Sequence, residues 1–320
     1  MHPNSVDLYA GLYGLVPVPE SFELGHGVVI SRTYAHLFAP FTMAFSPAAP
    51  GKPHPGPWKS AKGGLAIDLS AQLLLPATTG LPQLNRVNTV WWIVALLRLH
   101  ASTSISVPVI SSDSFASIPN IEHEPQLWPM EIHTPRLFPE DPQGRPVDDS
   151  ELEWLRDNWY EGAALLDNED FSDAFQAIDS SLWNHTPVLA LLAVWGALER
   201  LFSPSNAELS FRASANIAAF LELTGRARYA LFKKIKGLYD SRSKAAHGSG
   251  EVNLGPYADT YLVARRALVK MIETRHVPDK KELEANLFGD PVGITPGPGA
   301  PEKSLKEMKG QSNKRNTRIP

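Results

Sequence analysis

Residues 231–250 read LFKKIKGLYDSRSKAAHGSG, and this stretch decides the predicted fold of the C-terminal half. Its apolar residues recur three and four positions apart, which predicts a helix with one apolar face. Arg242 lies on the continuation of that face. Because an unpaired buried charge costs several kcal/mol, we expect Arg242 to face a polar cleft or an interface.

His247 follows Arg242 by five residues and precedes the sequence Gly-Ser-Gly. Five residues of a regular helix place two side chains about 140° apart. The two side chains therefore converge only if the helix ends near His247 or if a second chain contributes one of them. A simpler interpretation is that basic residues near a helix C-terminus complement the helix dipole, with Gly248 as the C-cap.

An earlier predicted helix, residues 187–202, reads PVLALLAVWGALERLF. Glu199 falls on an apolar row of this helix and is the second ionisable residue to interrupt such a row. The other members of the row are Val188, Leu192, Trp195 and Phe202.

Proline divides the chain, because it is excluded from helix interiors and central strands. Residues 1–150 contain 19 of the 28 prolines, and residues 151–287 contain four. The sequence therefore predicts an α+β protein. We expect a mixed α/β domain over residues 1–138, a linker over 139–150, a helical bundle over 151–287 and a disordered basic tail over 288–320.

Within this plan the N-terminal strands are predicted at residues 28–31, 65–69 and 104–107, with a buried helix at 87–99 and a loop at 46–58. The bundle helices are predicted at residues 151–165, 170–182, 187–202, 208–222, 226–247 and 256–275. An N-cap is expected at Asp149 or Ser150.

Composition excludes several classes of protein. The chain has no cysteine, so disulfides, thiolate metal sites and a cysteine nucleophile are impossible. The absence of cysteine is consistent with a protein of the reducing cytosol. The net charge of −4 provides no overall basic field for nucleic acid. No stretch has the roughly 18 apolar residues of a membrane span. We therefore expect a cytoplasmic protein without a membrane partner.

The helix ending ALERLF, a spacer and the helix ending IKGLYDSRSKAAHG together resemble the HEPN superfamily, and most closely its ApeA-like branch from bacterial defence and toxin systems. The resemblance covers residues 151–280. It implies an all-helical bundle with an Arg-x4–6-His motif, here at Arg242, Ser243 and His247. It also implies a homodimer in which two motifs meet, and RNA cleavage without a metal ion or other cofactor.

Other residues suit the surroundings of such a motif. Tyr239, Asp240 and Glu199 are expected in supporting roles. Lysines on the same helix give it a basic face that we expect to track an RNA backbone, although lysines opposite an apolar stripe are often only a solvated face. These lysines are Lys233, Lys234, Lys236 and Lys244.

The sequence thus favours a cytoplasmic endoribonuclease of a bacterial antiviral or toxin system, with Arg242 and His247 as catalytic residues. The N-terminal domain would sense a signal or regulate the nuclease. An antitoxin or a phage-derived trigger is a possible partner. The alternative is a non-enzymatic dimerisation module that binds a nucleotide, RNA or another protein. Turnover of RNA separates these two hypotheses.

Overall fold

A computed structural model describes residues 6–17, 19–39, 42–60, 65–132, 137, 146–203, 208–247 and 254–289. The predicted α+β class is confirmed. A β-sheet with one long helix forms the N-terminal half, and helices form the C-terminal half.

The main sheet has six antiparallel strands in the order β3-β4-β7-β1-β8-β9. In its centre, Leu8 pairs with Leu75 and Ala10 with Leu73, and these buried side chains face the main core because alternate residues share a face. In chain order, all the strands of the described residues, inside and outside the main sheet, are β1 (Leu8–Tyr13), β2 (Val16–Pro17), β3 (Ser21–Glu23), β4 (Val29–Ala39), β5 (Thr42–Ala44), β6 (Trp58–Ser60), β7 (Leu65–Leu75), β8 (Ser106–Ser111), β9 (Leu127–Pro129) and β10 (Pro146–Val147).

The described residues contain α-helices in both halves, with short 3-10 helices at Ile118–Asn120 and Ala163–Asp167. The α-helices are α1 (Arg86–Ala101), α2 (Asp149–Gly162), α3 (Glu169–Ser181), α4 (Pro187–Phe202), α5 (Leu209–Leu221), α6 (Arg226–Ala246), α7 (Leu254–Thr274) and α8 (Lys280–Leu287).

The predicted bundle helices are found within a few residues of their places, and α4 has the predicted bounds. The N-cap of α2 is Asp148 rather than Asp149 or Ser150. Its carboxylate accepts the Glu151 main-chain N–H and the Glu151 carboxylate accepts that of Asp148, so the two residues form a capping box. The predicted loop at 46–58 ends one residue earlier, since Trp58 begins β6.

Several other elements were misplaced or missed, among them β1 in the centre of the main sheet. The strand predicted at 104–107 lies at Ser106–Ser111, where every residue is buried, so alternation was a poor guide to it. Helix α8 was missed, although Asp279 and Glu282 form a capping box that has a sequence signature. Most of the predicted linker and tail, residues 139–145 and 290–320, falls outside the described residues.

One hydrophobic core continues from the sheet into the bundle. Trp92 of α1 donates its indole N–H to the Trp159 carbonyl of α2 at 2.8 Å, and Trp159 donates its own to the Leu24 carbonyl at 2.8 Å. Arg265 of α7 donates to the Leu99 carbonyl at 2.6 Å. The sequence boundary between the two halves stays a prediction, and a shared core favours two halves that fold together.

Candidate functional site

Helix α6 carries the motif residues, and it buries the apolar face that the sequence predicts. Ile235, Leu238, Tyr239 and Ala245 are buried. Ala246, which the pattern also placed on this row, is exposed because the helix ends there. Helix α6 packs against α4, so the inner side of α6 meets Glu199.

Arg242 lies on the inner side of α6 and pairs with Glu199 of α4. Its Nη2 is 3.2 Å from Oε1 and 3.3 Å from Oε2 of that carboxylate. The two side chains are 29% and 19% exposed, so water still reaches the pair. Arg242 thus has a charged partner within its own chain, and the expectation that it faces a polar cleft or an interface stays a prediction.

Tyr239 packs beside this ion pair. Its ring packs edge-on against Trp195, with centroids 5.0 Å apart, and the Arg242 Cζ lies 5.5 Å from the Tyr239 centroid. Burial raises the pKa of the Tyr239 phenol, and the negative charge of Glu199 raises it further. The Tyr239 phenol therefore holds its proton more tightly beside the charged pair.

The arginine has donor capacity left within the described part of the chain. Arg242 Nε is buried and has no hydrogen-bond partner among the described residues. A guanidinium presents a planar fork of donors, so Glu199 occupies only part of it. Because Nε is shielded from solvent, an anionic group such as a phosphate would reach it only after the side chains around the pair move.

His247 lies at the end of α6 with an exposed side chain. It is the C-cap, where Gly248 was expected, and its main-chain N–H bonds to the Ser243 carbonyl at 3.2 Å. Its φ of −94° and ψ of 5° lie in the bridge region, but the residues before it are helical, so the expected offset from Arg242 stays about 140°. Within one chain, the end of the helix does not bring the two side chains together.

The other predicted residues fall into two groups. Ser243 is half-buried beside Arg242, whereas Asp240 is exposed. Lys233, Lys236 and Lys244 are exposed, as a basic face requires. Lys234 is exposed as well, and its Nζ lies 2.7 Å from Asp259 Oδ1 in a surface ion pair.

Sequence reasoning missed a second charged cluster, around Arg98. Arg98 is fully buried and pairs with Asp179 at 2.9 Å and Glu131 at 3.2 Å, while its Cζ lies 4.5 Å from the Trp183 ring centre. Burial alone lowers the pKa of Arg98, but the two carboxylates raise it above the usual value, so the guanidinium stays charged. The only signal was an arginine inside the apolar helix predicted at 87–99.

Metal ligands are not gathered anywhere in the described residues. No group of three His, Asp or Glu side chains there is placed to hold a metal ion. The ring Nε2 of His123, for example, lies 3.0 Å from the Asp113 carboxylate. Among the same residues, every helix is too short or too polar to cross a bilayer.

No known protein family, curated protein or solved structure matches this chain.

Proposed function

We propose that the chain is a metal-independent endoribonuclease whose site contains Arg242 and His247. The observation that carries the proposal is the Arg242–Glu199 pair near the C-terminal end of α6, which holds a guanidinium with an unused Nε–H five residues before an exposed histidine. The resemblance of the α4 and α6 sequences to the HEPN superfamily supports the same activity.

The chemistry follows from the two residue types. The imidazole of His247 can accept the proton of a ribose 2′-hydroxyl. The 2′-oxygen then attacks the adjacent phosphorus, the bond to the 5′-oxygen breaks, and that oxygen takes up a proton. Arg242 offsets the charge that develops on the phosphate. The products are a 2′,3′-cyclic phosphate and a 5′-hydroxyl end, without any step that needs a metal ion.

A homodimer would bring together the two side chains that one chain holds apart. Because one helix points the two side chains about 140° apart, a two-fold axis near the end of α6 would bring Arg242 of one chain towards His247 of a second copy. The expected setting is the bacterial cytoplasm, where the N-terminal sheet would restrain or trigger the nuclease. An antitoxin or a phage-derived trigger would act through that sheet.

A non-enzymatic dimerisation module remains the second candidate function. It is favoured by the carboxylate of Glu199, which already occupies part of the Arg242 guanidinium, and by the separation of His247 within one chain. In that case the two residues would bind a nucleotide, RNA or partner protein without turnover.

Incubation of the purified full chain with single-stranded RNA and EDTA tests the proposal. We expect cleavage that persists in EDTA, leaves matched DNA intact and falls by about 10²-fold or more in folded Arg242→Ala and His247→Ala variants. His54→Ala, at an exposed histidine of the N-terminal half, is the matched control. Unimpaired alanine variants, or cleavage lost with EDTA, would contradict the proposal.

A further inference from the structure

One row of side chains, all exposed except the half-buried Ser243, runs along α6. Its members are spaced four and three residues apart, which places them on a single face of the helix. At 1.5 Å per residue, the row is about 27 Å long from its first to its last member. The row consists of Tyr229, Lys233, Lys236, Asp240, Ser243 and His247.

The N-terminal end of this row carries aromatic rings that face solvent. Tyr229 is 59% exposed and Phe211 of α5 is 54% exposed. Phe232 lies between them, with ring centroids 5.6 Å from Phe211 and 6.4 Å from Tyr229. The three rings border an open depression of about 310 Å³. Large apolar side chains that remain exposed together commonly mark a binding surface.

Cationic side chains lie directly beside the rings. Lys233 Nζ is 4.7 Å from the Tyr229 ring centre. Lys236 and Phe211 line a second depression of about 630 Å³ that reaches Tyr239, the neighbour of Arg242. Lys233 and Lys236 form no ion pair among the described residues, in contrast to Lys234. The two depressions share Phe211, so rings and cations, with Glu208 as an acid in the second depression, line the surface from Tyr229 towards Tyr239.

We propose that this face of α6 binds single-stranded RNA and guides it to the candidate site. Unpaired bases would stack on Tyr229 and Phe211, and Lys233 and Lys236 would contact the phosphates. The row would accommodate about eight stacked nucleotides at 3.4 Å each. Asp240 is the single acid in the row. This inference rests on the proposed ribonuclease function and adds its substrate class, because bases paired within a duplex cannot stack on exposed rings.

Binding is measured separately from cleavage with a probe that the proposed chemistry cannot cut. The probe is a fluorescent 2′-O-methyl oligouridylate of about twelve nucleotides, within the range of single-strand sites. Fluorescence anisotropy with the full chain should give about tenfold weaker binding for Tyr229→Ala and for Phe211→Ala. Tyr229→Trp should retain binding. Lys233→Ala combined with Lys236→Ala should lower the dependence of affinity on salt.

Matched controls are Tyr34→Ala on β4 and Lys59→Ala on β6, both at exposed residues of the N-terminal half. Wild-type affinity in the Tyr229 and Phe211 variants would overturn the inference, as would equal affinity for duplex RNA. A loss of dimer by light scattering in those variants would assign the face to protein contact and also overturn it. Binding without cleavage of unmodified RNA would leave this inference standing while the proposed catalysis failed.

Discussion

Arg98 of α1 and Asp179 of α3 form a buried ion pair, with Nε 2.9 Å from Oδ1, that joins the sheet half of the chain to the helical half. The indole N–H of Trp91 donates to Asp179 Oδ2 at 3.0 Å, and Arg98 donates to the Ile105 carbonyl at 2.6 Å. Glu131, after β9, completes the cluster. A fully buried guanidinium with these partners fixes the position of α1 against the bundle.

Removal of one partner should therefore destabilise the whole chain. Asp179→Ala leaves Arg98 with a reduced counter-charge in the core, and we expect the free energy of unfolding to fall by about 3–5 kcal/mol. Asp173→Ala, on the same helix, breaks an exposed pair with Arg200 and should cost about 1 kcal/mol or less. Urea denaturation measures both. Equal effects of the two substitutions would contradict a special role for the buried pair.

The helical half should not fold independently. A fragment of residues 151–287 would expose the bundle surface that packs on α1, including the buried Trp159 and Phe175. We expect this fragment to lack a cooperative thermal transition and to bind a hydrophobic dye, because the loss of a shared core leaves a loosely packed state. A sharp transition like that of the full chain would show that the two halves are separable after all.

The sequence predicted the helices of the bundle because their apolar residues recur at helical spacing, as in α4 and α6. It also indicated a partner for Arg242, since a charge on an apolar row needs one. It did not identify Glu199 as that partner, because the contact joins residues on separate helices and no spacing encodes it. The Arg98 cluster was not predicted for the same reason, because its carboxylates lie 33 and 81 residues away in sequence.

Glu199 should act as a positioning residue for Arg242. Glu199→Ala removes the carboxylate that orients the guanidinium, and we expect RNA cleavage to fall by about tenfold, on the scale of a lost charge-assisted hydrogen bond. Glu199→Gln retains an acceptor oxygen and should lose less activity. The cleavage rate is measured with excess RNA, and a melting curve for each variant separates catalysis from folding. An increase in rate would show instead that Glu199 restrains Arg242.

Alkaline pH should weaken the fold through two buried phenols. Burial raises the pKa of Tyr257 and of Tyr261 above the usual value. A group whose pKa is higher in the folded state stabilises the protein fully below its unfolded pKa, about 10 for tyrosine, and that contribution is lost as the pH rises through the folded value. We therefore expect the free energy of unfolding to decline above about pH 10.

Tyr257→Phe should reduce this decline, at the cost of the hydroxyl contact to Ser181 at 3.1 Å. Tyr229→Phe, at an exposed tyrosine, is the control and should leave the alkaline slope unchanged. Guanidinium denaturation from pH 8 to about pH 11 supplies the slopes. The same slope in all three proteins would contradict a role for Tyr257 in this titration.

The central claim is that Arg242 and His247 form one ribonuclease site from two chains, and mixed dimers test it most directly. Arg242→Ala and His247→Ala chains are coexpressed with different tags, and the heterodimer is purified through both tags. Each heterodimer would contain one site with both residues intact and one with neither, so we expect about half the wild-type rate in EDTA, while each variant alone is nearly inactive. A purified heterodimer no more active than its parents would contradict the shared site.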